Sequence, residues 1–160
     1  MRERTRKNEH LLLIQYPFIY RLHHQNALFK NTKGVRSRVL YVDDEENSLI
    51  IAKNFLERID STMLVNILSS PEEALKIFES YQCIITDYKM STMNGLEFAQ
   101  KIRANSNVPI ILYTEWGTDE LFEKANASGI DECLSKGSDR DHYEALAKRI
   151  KYLIKKYQNN

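Results

Sequence analysis

Glycine is scarce in this chain, with five in 160 residues, and nowhere do they gather into a loop that could cradle a phosphate. Cysteine is scarcer: Cys83 and Cys133 each sit inside an apolar, strand-like run. Both read as small buried hydrophobes rather than as a disulfide or a reactive thiol, and nothing points to an oxidising compartment. Long apolar runs are missing as well. "MRERTRK" followed by "LLLIQYPFIY" imitates an export signal, yet Gln15 and Pro17 interrupt it and no small-residue cleavage site follows. Its ten residues are about half of what a membrane-crossing helix needs, so no membrane span is expected. His23 and His24 have no partners at metal-ligand spacing and read as solvated. Tyr16, Phe18 and Tyr20 read as part of a loosely packed segment.

What is present suits one globular domain with a core of its own. The chain is 42% apolar and 28% charged. A net charge of +1 hides an asymmetry: residues 1–38 carry nine Lys or Arg against two Glu, and the remainder carries fourteen against twenty. The body is thus acidic and its leader basic, which argues against nucleic-acid binding by the body. Residues 1–36 read as a basic extension outside the fold and 37–157 as the domain. The cytoplasm is the expected location.

From Arg38 the pattern alternates between strand and helix. "RVLYV" (38–42) is a first strand, and Leu49, Ala52, Phe55, Leu56 and Ile59 keep helical spacing after it. "MLVNILS" (63–69) is a second strand; Ser70, Pro71 and Glu73 predict a capped helix start, with Ala74, Leu75 and Phe78 inward. "CIIT" (83–86) is the third strand, followed by a helix opened by Gly95. "IILYT" (110–114) precedes a helix capped by Thr118 and ended by Gly129. "ECLS" (132–135) is the fifth strand, and Ser138 is expected to cap a long last helix. Five such units predict an α/β fold with a parallel sheet covered on both faces.

In such sheets, ligands bind beyond the carboxyl ends of the strands. The first strand ends in Asp43 and Asp44, the third in Asp87, the fourth in Thr114 and the fifth in Lys136. Three carboxylates in one crevice repel one another and call for a cation, and Mg²⁺ suits a few carboxylates with water. Asp87 is then a candidate nucleophile toward phosphorus, with the metal, Lys136 and Thr114 to meet the charge. Singly these signals are weak, since acidic residues before a helix usually serve its dipole. Together and in order they are specific, and the strongest is the segment "CIITDYKMSTMNG" (83–95).

These residues resemble the receiver domain of two-component response regulators, over about residues 37–157. The resemblance implies a doubly wound, flavodoxin-like (CheY-like) (βα)5 fold with strand order 2-1-3-4-5. It implies Asp43, Asp44, Asp87 and the backbone carbonyl of Lys89 as ligands of Mg²⁺. Asp87 becomes the phosphorylated residue, Thr114 the switch hydroxyl and Lys136 the paired lysine. A sensor histidine kinase or a phosphotransfer protein would supply the phosphoryl group. With no output domain in view, a single-domain regulator would pass the signal to an effector protein through its fourth helix, fifth strand and last helix. Such a protein is not an enzyme beyond its own phosphorylation and dephosphorylation. Four positions depart from the pattern. Ser91 and Gly137 replace prolines, Glu115 replaces a small residue, and Cys133 replaces the aromatic residue that reports the switch. Ser91 is expected to loosen its loop, Glu115 to slow phosphotransfer and Cys133 to alter the readout. Two other functions stay open at this point: a receiver-like binding module that acts without phosphorylation, and a metal-dependent phosphatase. Against the phosphatase, Lys89 stands where a second aspartate would serve as general acid.

Overall fold

The computed structural model describes residues 36–159; the expectations for residues 1–35 lie outside them. Strands β1 (Ser37–Val42), β2 (Met63–Leu68), β3 (Cys83–Thr86), β4 (Ile110–Thr114) and β5 (Glu132–Ser135) form one sheet. All pairings are parallel, in the order β2-β1-β3-β4-β5. Helices α1 (Glu46–Ile59), α2 (Pro71–Ala74), α3 (Gly95–Arg103), α4 (Asp119–Ala127) and α5 (Arg140–Gln158) connect and follow the strands. This is the CheY-like arrangement expected.

Strand side chains alternate between two cores because successive residues point to opposite faces. Val39, Tyr41, Cys83, Ile85, Ile111 and Tyr113 pack beneath α1 and α5, which add Leu49, Leu56, Leu146 and Ile150. Leu40, Val42, Ile84, Ile110 and Leu112 face the other way, onto Phe98, Ile102, Leu121 and Phe78. Burying these apolar side chains, at about 1.5–3 kcal/mol each for the larger ones, is the main drive for the fold. Both cysteines are free thiols; Cys83 is fully buried and Cys133 half-buried.

Three local details differ from expectation. Asp139, not Ser138, caps α5, its carboxylate accepting the His142 N–H at 3.0 Å. An aspartate there answers the helix dipole with a full charge, which a serine cannot do. The capping box expected at Ser70 is half made: Ser70 accepts the Glu73 N–H, but its hydroxyl donates to Glu72. The reciprocal box belongs to Asn94 and Glu97, at the start of α3. The helix after Ser70 is also short. It tightens into i→i+3 bonds from Lys76 to Glu73 and from Ile77 to Ala74, then into a 3₁₀ turn (Phe78–Ser80). Leu75 is only half-buried as a result. Gly129 does end α4: at φ +83° its N–H bonds Asn126, and the next N–H bonds Ala125.

Candidate functional site at the carboxyl ends of the strands

Strand pairing continues one residue past the strands and pins the backbone of the site. Asp43 N–H donates to Leu68, Asp87 N–H to Val42, and Lys136 N–H to Thr114. Alternation then places Asp43, Asp87 and Lys136 on the α1/α5 side of the sheet, in step with Tyr41, Ile85 and Leu134. Thr114 is in step with Leu112, yet at the sheet's edge its hydroxyl still comes close to Asp87. The three ionic groups meet: Lys136 Nζ lies 2.7 Å from Asp43 Oδ2 and 3.3 Å from Asp87 Oδ1. Asp43 is 1% exposed, Asp87 6% and Thr114 0%.

The electrostatics follow from this burial. Burial pushes the Asp87 carboxyl above its ordinary value; Lys136 pulls it back, Asp43 adds to the rise, and the nearby Thr114 hydroxyl opposes it. Burial also works against charge on Lys136. Its hydrogen bond to Asp43, with the charges of Asp43 and Asp87, outweighs that and holds it above its ordinary value. Lys136 therefore serves Asp43 first and Asp87 second, as the distances also say. Asp87 Oδ1 is buried and accepts no hydrogen bond. A buried carboxylate oxygen held only by a long ion pair has lone pairs left for another group to complete.

The other expected residues stand around this triad. Asp44 is exposed, and its Oδ2 accepts the Ser91 N–H at 2.8 Å. A proline at 91 has no N–H to give, so this departure ties the loop after Asp87 to the loop after β1 instead of loosening it. Lys89 is exposed; its N–H donates to Asp87 Oδ2 at 3.1 Å. The Lys89 ammonium lies 5.5 Å from the centre of the Trp116 ring, so a cation–π contact spans the two loops beside Asp87. The Trp116 N–H donates to Thr114 Oγ1 at 3.3 Å. Gly95 has a plain steric reason: a Cβ there would stand 2.2 Å from the Asp87 carbonyl oxygen. The first turn of α3 can approach the Asp87 backbone only with glycine at that place. Glu115 is exposed and lines, with Lys136, Ser48, Tyr113 and Tyr143, a cavity of about 450 Å³ beside the crevice. The described residues contain no cis peptide bond, and Gly137 packs against the His142 ring.

Among the described residues, no three His, Cys, Asp or Glu side chains stand close enough together to form a metal-holding group. The donor chemistry still fits Mg²⁺: two adjacent carboxylates at the end of β1, and Asp87 with a buried oxygen that accepts no hydrogen bond. Mg²⁺ takes only one or two protein carboxylates and keeps several waters. Sequence reasoning missed three donors that hold the acidic pair. The Tyr41 hydroxyl donates to Asp43 Oδ2 at 3.0 Å, the Glu45 N–H to Asp43 Oδ1 at 3.0 Å, and the Ser91 N–H to Asp44. Only Tyr41 left a signal, two residues before Asp43 and so on its face of the strand.

Comparison with known proteins agrees with this geometry. The family model described as "Response regulator receiver domain" matches residues 39–148. The transcriptional regulatory protein SrrA of Staphylococcus aureus is 29% identical over 126 residues, which cover 77% of this chain and 50% of SrrA. The chain thus spans about half the length of the curated relatives it matches. A two-component response regulator from Clostridium difficile superposes with a TM-score of 0.64 at 27% identity, over 72% of this chain and 95% of that one. The receiver domain of the Francisella response regulator 1452 superposes with a TM-score of 0.68 at 24% identity, over 76% and 99%; it shows the fold alone.

Proposed function

The chain belongs to the response regulator receiver domain family, and from that premise we propose that Asp87 accepts a phosphoryl group from a partner's phosphohistidine. The family consists of two-component signalling modules rather than enzymes of the usual kind. One observation carries the proposal: Asp87 Oδ1 is buried, makes no hydrogen bond, and has the Lys136 ammonium as an ionic partner at 3.3 Å. An Asp87 oxygen attacks phosphorus, the bond from phosphorus to the donor's imidazole nitrogen breaks, and the imidazole leaves as the acyl phosphate forms. Lys136 keeps positive charge beside the reacting carboxylate. Thr114, already bonded to the Trp116 N–H, is the hydroxyl that would turn toward the new group. Asp43, Asp44, Asp87 and the Lys89 carbonyl would hold Mg²⁺, which when bound supplies positive charge for the transferring oxygens.

The kinase or phosphotransfer partner, the domain limits 37–157 and the cytoplasmic setting belong to the same proposal. So does output through the face of α4, β5 and α5 toward an effector protein, without nucleic acid. No described helix is long and apolar enough to cross a membrane. A second reading, a receiver-like module that binds in one conformation without phosphorylation, has Glu115 and the half-buried Cys133 in its favour.

Intact mass after incubation with acetyl phosphate and Mg²⁺ tests the proposal. Wild type should gain one phosphoryl group, and Asp87→Asn, or wild type in EDTA, should gain none. No gain by wild type, with beryllofluoride and Mg²⁺ also failing to bind, would establish the second reading.

A further inference from the structure

Tyr41 lies outside the acidic motif, yet its hydroxyl is one of three donors on Asp43. It stands two residues before Asp43 on β1, so alternation brings both side chains to the same face of the sheet. The ring is fully buried, edge-on to Tyr113 with centroids 6.3 Å apart. Asp43 Oδ2 accepts from the Tyr41 hydroxyl at 3.0 Å and from Lys136 Nζ at 2.7 Å. Asp43 Oδ1 accepts the Glu45 N–H at 3.0 Å. A carboxylate offers about four lone-pair sites. Oδ2 is therefore filled by two donors, and Oδ1 keeps one site unused.

We propose that Tyr41 is a positioning residue for the cation site: its hydroxyl holds Asp43 so that Oδ1 remains the oxygen available to a divalent ion. The inference rests on the preceding reading of Asp43 as a metal ligand. Two further observations support it. Lys136 cannot do this alone, because its ammonium is shared with Asp87 and any change at Asp87 changes its pull on Asp43. Tyr41, fully buried, has no bulk water to turn to, and Ser48 and Tyr113 supply the other polar groups near it. Tyr41 thus supplies a hold on Asp43 that phosphorylation of Asp87 would not disturb directly.

Partners that orient a metal ligand through a hydrogen bond typically contribute about 10- to 100-fold to metal affinity. The test is isothermal titration with MgCl₂ of wild type, Tyr41→Phe and Tyr113→Phe, beside thermal melting of each in EDTA. Tyr41→Phe keeps the ring and should weaken Mg²⁺ binding about tenfold. Tyr113→Phe removes a neighbouring buried hydroxyl that bonds the Gly137 N–H rather than Asp43, and should bind Mg²⁺ as wild type does. The inference is overturned if Tyr41→Phe binds within twofold of wild type, or if Tyr113→Phe loses as much. A lower melting point in EDTA with unchanged affinity would make Tyr41 merely structural. Wild type that takes up no Mg²⁺ would overturn the metal reading itself, and this inference with it.

Discussion

At the residue scale, the buried oxygens of the site differ in how far the chain completes them. Both oxygens of Asp43 and Oδ2 of Asp44 accept hydrogen bonds from the chain, whereas the buried Asp87 Oδ1 accepts none. On the proposed function, Trp116 is expected to shield the acyl phosphate from water. It is 59% exposed, yet Lys89, on the loop that follows Asp87, reaches over its ring. An indole held there by Lys89 would obstruct water on its way to the proposed acyl phosphate. Trp116→Ala should shorten the life of the phosphorylated protein by about two- to fivefold, the scale of one exposed cation–π contact. Decay of the phosphorylated mass after removal of the donor measures this, and an unchanged half-life would refute the shielding role.

At the element scale, ion pairs and hydrogen bonds tie helices to loops at the end of the sheet opposite the site. Arg103 from α3 donates to the Val108 and Gly129 carbonyls and pairs with Asp131 at 2.7 Å; Asp131 also accepts the Ile110 N–H and the Tyr157 hydroxyl. Asp60, just past α1, accepts the Thr62 N–H and hydroxyl and pairs with Lys151 of α5 at 2.9 Å. The Thr62 hydroxyl first, and then Lys151, hold its carboxyl down to about 2 from an ordinary 3.8. A depressed carboxyl stabilises the fold above its unfolded value and loses that contribution as pH falls through the folded one. Asp60→Asn should therefore cost about 1 kcal/mol at neutral pH, discounted because Lys151 is well exposed. The gap to wild type in urea midpoint should close between about pH 4 and pH 2. A gap constant across that window would remove Asp60 as its source.

At the scale of the whole molecule, the metal proposal predicts linkage. Mg²⁺ that binds only the folded state at ten times its dissociation constant adds about 1.4 kcal/mol, or roughly 3–6 °C in melting temperature. Wild type should show that rise over EDTA, and Asp87→Asn only part of it. Equal melting of wild type with and without Mg²⁺ would count against the metal site.

Much of the architecture was legible because it depends on short-range periodicity. Alternating strands and helical stripes define themselves within a few residues, so the five βα units and the strand-end residues Asp43, Asp87, Thr114 and Lys136 could be read off the chain. Local chemistry also marked the Thr118 cap and the Gly129 stop. It misled at Ser138 and Ser70, where a neighbouring residue offered the better cap or acceptor. What the sequence by itself determined is which groups stand at the strand ends and on which face of the sheet. Only the tertiary structure decided which donor each carboxylate receives: Lys136 reaches Asp43 across 93 positions and Ser91 reaches Asp44 across 47. Those distances close only when the crossovers and the strand register are complete. A backbone N–H, identical in every residue but proline, leaves no mark in composition or spacing before then.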